Sequence, residues 1–120
     1  MTKVLVIEDQ SIFQNVYQAV LERSDLEVIT ALDGQAGLNL AAEHKPDIIL
    51  LDMMMPKLNG LQFLQAFEPK KHPETKVIVF SNLDLADQKQ AALDLGAIKY
   101  LTKAAYFTPK QLLAAIQELL

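Results

Sequence analysis

Five short aliphatic runs punctuate the chain, and between them apolar residues recur at helical spacing. The runs are Lys3 to Ile7, Leu26 to Thr30, Ile48 to Leu51 between Asp47 and Asp52, Lys76 to Phe80, and Ile98 to Leu101. Continuous aliphatics without alternation predict strands buried on both faces, as in a parallel sheet covered by helices. Leu26 to Thr30 is the least apolar and is expected at an edge. From Ser11 to Arg23, Phe13, Val16, Val20 and Leu21 follow helical spacing; an inward stripe of Phe13, Val16 and Val20 leaves Ile12 outside it. Asp33-Gly34 opens a second helix through Ala36, Leu38, Leu40 and Ala41, which Pro46 excludes from continuing. Asn59 can cap a third helix bearing Leu61, Phe63, Leu64 and Phe67. Ala86 to Leu95 is a fourth, with Gly96 as the residue that ends it. The fifth has the fullest signature: Thr108 at the N-cap, Pro109 at N1 and Gln111 completing a capping box. Phe107 is placed to staple onto Leu112, with Ile116, Leu119 and Leu120 extending the apolar face.

Strand and helix alternating five times require right-handed crossovers, a parallel sheet and helices on both faces. The expected fold is α/β, a flavodoxin-like doubly wound five-stranded parallel sheet with five helices. Its order, 2-1-3-4-5, is taken by analogy with that fold. The 120 residues suit one domain, 1–120, able to bury a core without staples. Without Cys there is neither a disulfide framework nor a thiolate metal site. The N-terminus lacks a signal-peptide pattern and no apolar run is long enough to span a bilayer, so the expectation is a cytoplasmic protein without membrane attachment. The net charge of −4 argues against nucleic acid as a direct partner. Lys70-Lys71-His72, the one basic cluster, reads as a solvated loop between Pro69 and Pro73.

In a parallel sheet every strand ends at the same edge. Glu8 and Asp9 follow the first run, Asp52 the third, Ser81 the fourth and Lys103 the fifth. Adjacent first and third strands would bring three carboxylates to one crevice, the place where open α/β sheets hold ligands. Such carboxylates need a counter-charge. Mg²⁺, which takes oxygen ligands and phosphate oxygens, is the natural one. Lys103 adds a cation suited to a phosphate, and Ser81 a hydroxyl. Singly, each residue has a plainer role: helix-start acids, a cap, a surface lysine. Five at one edge make coincidence improbable.

The chain resembles the response-regulator receiver domains of two-component signalling over essentially its full length. The resemblance is carried by Val4-Leu5-Val6-Ile7-Glu8-Asp9 and Pro46 to Asp52 with Met55-Pro56 and Asn59-Gly60. Gly96-Ala97 through Tyr100 to Lys103 completes it. It implies that Asp52 is the phospho-acceptor. Asp9 would ligate the metal directly, Glu8 through water, and Asp52 and the Met54 backbone carbonyl would complete the protein ligands. Ser81 would bond the phosphoryl oxygens, Lys103 would neutralise them, and Tyr100 would be an aromatic switch that swings inward. The implied partners are a sensor histidine kinase or phosphotransfer protein and a downstream effector. The implied state is a monomer or a weak phosphorylation-dependent dimer, with output through the surface of the last two helices and the fifth strand. Docking of the kinase is expected on the first helix and the loop after Lys103, with Ile12 as an exposed apolar contact and Tyr106 beside it by analogy.

Two departures stand out: Ala104-Ala105 follows Lys103 where the family usually has proline, and Asn82 follows Ser81. The first predicts a trans Lys103–Ala104 bond. Met54 and Leu83, apolar beside the phosphoryl group, predict a long-lived aspartyl-phosphate. A small Mg²⁺-dependent aspartyl-phosphate phosphohydrolase is the rival reading, but haloacid-dehalogenase-like enzymes need a second Asp where Met54 stands. A true flavodoxin would not place Glu8-Asp9 in its phosphate loop, and a receiver-like module that is never phosphorylated is at odds with the intact residue set. No output domain is expected within the chain, which reads either as a stand-alone regulator or as an excised receiver.

Overall fold

Ile48–Leu51 forms a strand (β3) buried on both faces, and the rest of the molecule is laid out around it. The computed structural model describes residues 2–81, 86–102 and 108–119. Along the chain come β1 (Lys3–Ile7), α1 (Ser11–Glu22), β2 (Glu27–Ala31), α2 (Gly34–His44) and β3. After these follow α3 (Gly60–Phe67), a 3-10 turn at Pro69–Lys71, β4 (Lys76–Ser81), α4 (Ala86–Asp94), β5 (Lys99–Thr102) and α5 (Pro109–Gln117). All strand pairs are parallel, in the order β2-β1-β3-β4-β5. The doubly wound arrangement and its edge strand β2 are those expected, with β2 and β5 each one residue later in the chain than the apolar runs suggested.

Strand alternation sorts the core into two layers. Leu5, Ile7, Ile49, Leu51, Val77 and Val79 meet Phe63, Leu64 and Phe67 of α3 and Ala41 of α2 on one face. Val4, Val6, Ile48, Leu50, Ile78 and Phe80 meet Tyr17 and Leu21 of α1 and Leu112, Ala115 and Ile116 of α5 on the other.

Three helices start as their sequences direct. The Asp33 carboxylate accepts from the Ala36 N–H at 2.8 Å. Asn59 and Gln62 form a reciprocal capping box, both bonds at 2.9 Å, and Thr108 and Gln111 form another. Gly96 ends the α4 segment with φ +111°, a conformation that side chains rarely adopt. Phe107, with its expected staple, and Leu120 lie outside the described residues.

Helix α1 corrects the sequence reading. Its buried residues are Gln14, Tyr17 and Leu21, whereas Phe13 and Val16 are exposed and Val20 is half-buried. The spacing 14, 17, 21 is an equally good helical stripe, and two tertiary contacts select it. Tyr17 packs edge-on against Phe80 of β4, with ring centroids 5.7 Å apart, and Gln14 finds backbone carbonyls for its amide. Ile12 is 75% exposed, as expected.

Candidate functional site

The register of β1 and β3 brings the acids together. Ile7 lies opposite Leu51, and the Asp52 N–H donates to the Ile7 carbonyl at 3.1 Å, so Glu8 and Asp52 leave the sheet side by side. One carboxylate oxygen from each of Glu8, Asp9 and Asp52 lies within 4.8 Å of the others. Glu8 and Asp52 are buried and Asp9 is half-buried. Three carboxylates converging on one point repel one another, and a cation held there would offset their charge. The donor set, oxygen only and at one focus, fits a hard divalent cation such as Mg²⁺. Ser81, fully buried, ends β4 at the same edge, opposite Thr102 of β5. Lys103 lies outside the described residues, as do Asn82, Leu83, Tyr106 and the Lys103–Ala104 bond.

The loop that follows Asp52 is short and closely held. The Met54 N–H donates to Asp52 Oδ1 at 3.4 Å, and the Gly60 N–H returns to the Met53 carbonyl at 3.0 Å, clasping the start of α3 to the acceptor strand. Met53 and Met55 are buried beneath the loop, while the Met54 side chain is 57% exposed beside the acids. On its outer side Lys57 reaches Asp33 at 3.6 Å, tying the loop to the start of α2. The Ala36 N–H, more than Lys57, holds the Asp33 carboxyl below the usual carboxylate range.

Two residues at the site escape a reading for hydrophobic pattern and acid placement. Gln14 of α1 donates its side-chain amide to the Ala31 carbonyl at 3.0 Å and to the Glu8 carbonyl at 3.4 Å. Tyr17, one helical turn on, shares with Glu8, Asp52 and Phe80 the lining of a small cavity beneath the carboxylates. Burial, and then the negative charge of Glu8 and of Asp52, pushes its phenol up to about 12. The signal for both was their i, i+3 spacing on a helix that follows directly after two acids. Tyr100 of β5, the expected switch, is already buried, in the same core cluster as Ala92 and as Val79, its partner on β4.

Comparisons with known proteins agree with this geometry. The model of the response regulator receiver domain matches residues 4–117. The alkaline phosphatase synthesis transcriptional regulatory protein PhoP of Bacillus subtilis is 36% identical over 118 residues, covering 98% of this chain and 48% of that protein. Response regulator ArlR of Staphylococcus aureus is 33% identical over 120 residues, covering 100% of this chain and 53% of that protein. The chain thus spans about half the length of these curated relatives. Among solved structures, chemotaxis protein CheY4 of Vibrio cholerae superposes with a TM-score of 0.90 at 29% identity, covering 100% of this chain and 99% of that one. The receiver domain of Francisella response regulator 1452 gives 0.88 at 29% identity, covering 99% and 96%.

Proposed function

The chain belongs to the response-regulator receiver family, and from that premise we propose that it is a signalling switch phosphorylated on Asp52 by a histidine kinase or phosphotransfer protein. Response regulators are signalling proteins rather than turnover enzymes, and they work between histidine kinases and downstream effectors. The observation that carries the assignment is the focus of Glu8, Asp9 and Asp52 at the end of a fully buried strand.

In this reading an Asp52 carboxylate oxygen attacks the phosphorus of a phosphohistidine in line. The new O–P bond forms as the P–N bond breaks, and the imidazole leaves with the electron pair. Asp9, Asp52, the Met54 carbonyl and, through water, Glu8 would hold Mg²⁺, whose charge, when bound, offsets that of the transferring phosphoryl group. The Ser81 hydroxyl donates to a phosphoryl oxygen, and Lys103 neutralises another. The bonds from Ser81 to the phosphoryl group form only in the phosphorylated state, so they bias a two-state element. Tyr100, buried one strand away, repacks with β4, and the α4-β5-α5 surface changes for the effector. The domain acts in the cytoplasm, without direct contact to nucleic acid or membrane, as a monomer or weak phosphorylation-dependent dimer. The hydrolase reading has no support, since Met54 stands where its second acid is needed.

The test is label incorporation from radioactive acetyl phosphate with Mg²⁺. The unsubstituted protein should take up acid-stable, hydroxylamine-labile label, Asp52→Asn should take up none, and chelation of Mg²⁺ should suppress uptake. Undiminished labelling of Asp52→Asn would remove Asp52 as the acceptor.

A further inference from the structure

The loop between β1 and α1 holds two of the three clustered carboxylates, Glu8 and Asp9, in three residues before α1 begins. Helices α2, α3 and α5 each start on a side-chain cap that sets the path of the chain entering them. At the start of α1, Gln10 at the N-cap makes no side-chain cap hydrogen bond. The entry into α1 is instead tied from within the helix. Gln14, buried on the first inward position, donates to the Glu8 carbonyl and to the Ala31 carbonyl at the end of β2. The Ala31 carbonyl also accepts from the Glu8 N–H at 3.0 Å. Glu8 is therefore held at both its backbone N–H and its carbonyl, and Gln14 supplies one of the two ties. A buried amide in an otherwise apolar stripe costs stability unless it is bonded. Here its partners are the backbone groups nearest the acids.

We propose that Gln14 is a positioning residue for the divalent-cation site: its amide fixes the Glu8 backbone against β2, so that Glu8 and Asp9 meet Asp52. The inference rests on the phospho-acceptor reading of that site and extends it to a residue on helix α1 that touches neither metal nor phosphate. Tyr17 belongs to the same arrangement, since it lines the small cavity that Glu8 and Asp52 also line. Two neighbours on one helix face thus support the acids, one through the backbone and one from below.

The experiment is a titration with MgCl₂ followed by amide NMR, with a thermal melt of each variant. Gln14→Met keeps the length and removes the donor. Gln14→Asn keeps an amide but shortens its reach, and serves as a second variant should the first fold poorly. Two controls separate positioning from general destabilisation. Gln18→Met makes the same chemical change where the amide bonds only the exposed Glu22, and Ile116→Val trims a fully buried residue of α5. Both Gln14 variants should raise the Mg²⁺ dissociation constant about three- to tenfold, the effect of losing one ordinary hydrogen bond to a backbone carbonyl. Ile116→Val should lower the melting temperature and leave Mg²⁺ affinity unchanged, and Gln18→Met should change neither. Mg²⁺ binding by folded Gln14→Met or Gln14→Asn equal to that of the unsubstituted protein overturns the proposal alone. Failure of the unsubstituted protein to bind Mg²⁺ overturns it together with the phospho-acceptor reading.

Discussion

Gly60 is the point where a single methyl group should damage the acceptor site most directly. Its backbone lies outside the left-handed region, among glycines only Gly96 having positive φ, so an alanine would meet no conformational penalty there. Space is what excludes it. A Cβ built on Gly60 falls 2.5 Å from Met53 Sδ, 2.7 Å from Met53 Cα and 2.9 Å from the Asp52 carbonyl oxygen. Two of those three atoms are backbone, so the added carbon cannot be accommodated by turning a side chain. The strand end bearing Asp52 must move, or α3 must lift away from it and stretch the Gly60 N–H bond to the Met53 carbonyl.

Overpacking of this kind costs about 1–3 kcal/mol, and backbone contacts place it in the upper half of that range. Replacing Gly by Ala restores about 0.4–1 kcal/mol through the unfolded chain. The net loss is then about 1–2.6 kcal/mol, which for a domain of this size lowers the melting temperature by roughly 4–10 °C. Gly37→Ala is the informative partner: the three atoms nearest its Cβ would all be side-chain atoms of Ile7, the closest being Cδ1 at 2.5 Å. Both variants should melt earlier, but only Gly60→Ala should also weaken Mg²⁺ binding and slow labelling from acetyl phosphate, because only it displaces Asp52. Scanning calorimetry with Mg²⁺ titration reads both effects. A Gly60→Ala protein that melts and binds Mg²⁺ like its parent would refute the argument from contact distance.

Three further outcomes follow from the site and its surroundings. The exposed Met54 offers an attacking water no polar partner, so Met54→Asn should shorten the aspartyl-phosphate lifetime several-fold, measured by loss of label after removal of donor. Ile12→Glu combined with Tyr106→Ala should slow transfer from the cognate kinase at least several-fold while leaving labelling from acetyl phosphate unchanged, since Ile12 stands clear of the core. Tyr17, raised to about 12, should ionise well above the ordinary phenol value in an ultraviolet titration read as the difference between the protein and its Tyr17→Phe variant. Because its folded value lies above the ordinary phenol value of about 10, its contribution to stability is whole below about pH 10 and is lost as the pH rises to about 12. Tyr17→Phe should flatten that alkaline loss.

The strands were legible because burial on both faces leaves a mark that needs no partner to interpret: an unbroken aliphatic run such as Ile48 to Leu51. The acids were legible for a related reason. A residue immediately after a parallel strand is carried to the common edge whatever the loops do, so Glu8, Asp9 and Asp52 had to converge once β1 and β3 were neighbours. Loop contacts lack such a marker. That Gly60 packs against Met53, or that Lys57 reaches Asp33, depends on how two segments approach in space, and neither pair is close enough in sequence for a periodicity to show it.

Helix α1 shows how a polar residue can reverse a reading of periodicity, and why the reversal matters to the site. Burying Phe13 and Val16 would be worth about 1.5–3 kcal/mol each by area, so the helix needs a reason to turn them outward. Tyr17 and Leu21 recover comparable area on the observed face, and the Tyr17 ring gains an edge-on contact with Phe80. Gln14 adds two bonds that exist only in this phase, to carbonyls at Glu8 and Ala31. Successive residues on a helix are separated by about 100° of rotation, so turning α1 by one position would withdraw the amide from both carbonyls. It would also release the backbone that carries Glu8. The same phase leaves Ile12, Phe13 and Val16 on the outside, beginning three residues after Asp9. One choice of helix rotation therefore sets both the support beneath the acids and the apolar surface offered beside them. A hydrophobicity pattern could not reveal this, because the deciding partner of Gln14 lies on another strand, seventeen residues away.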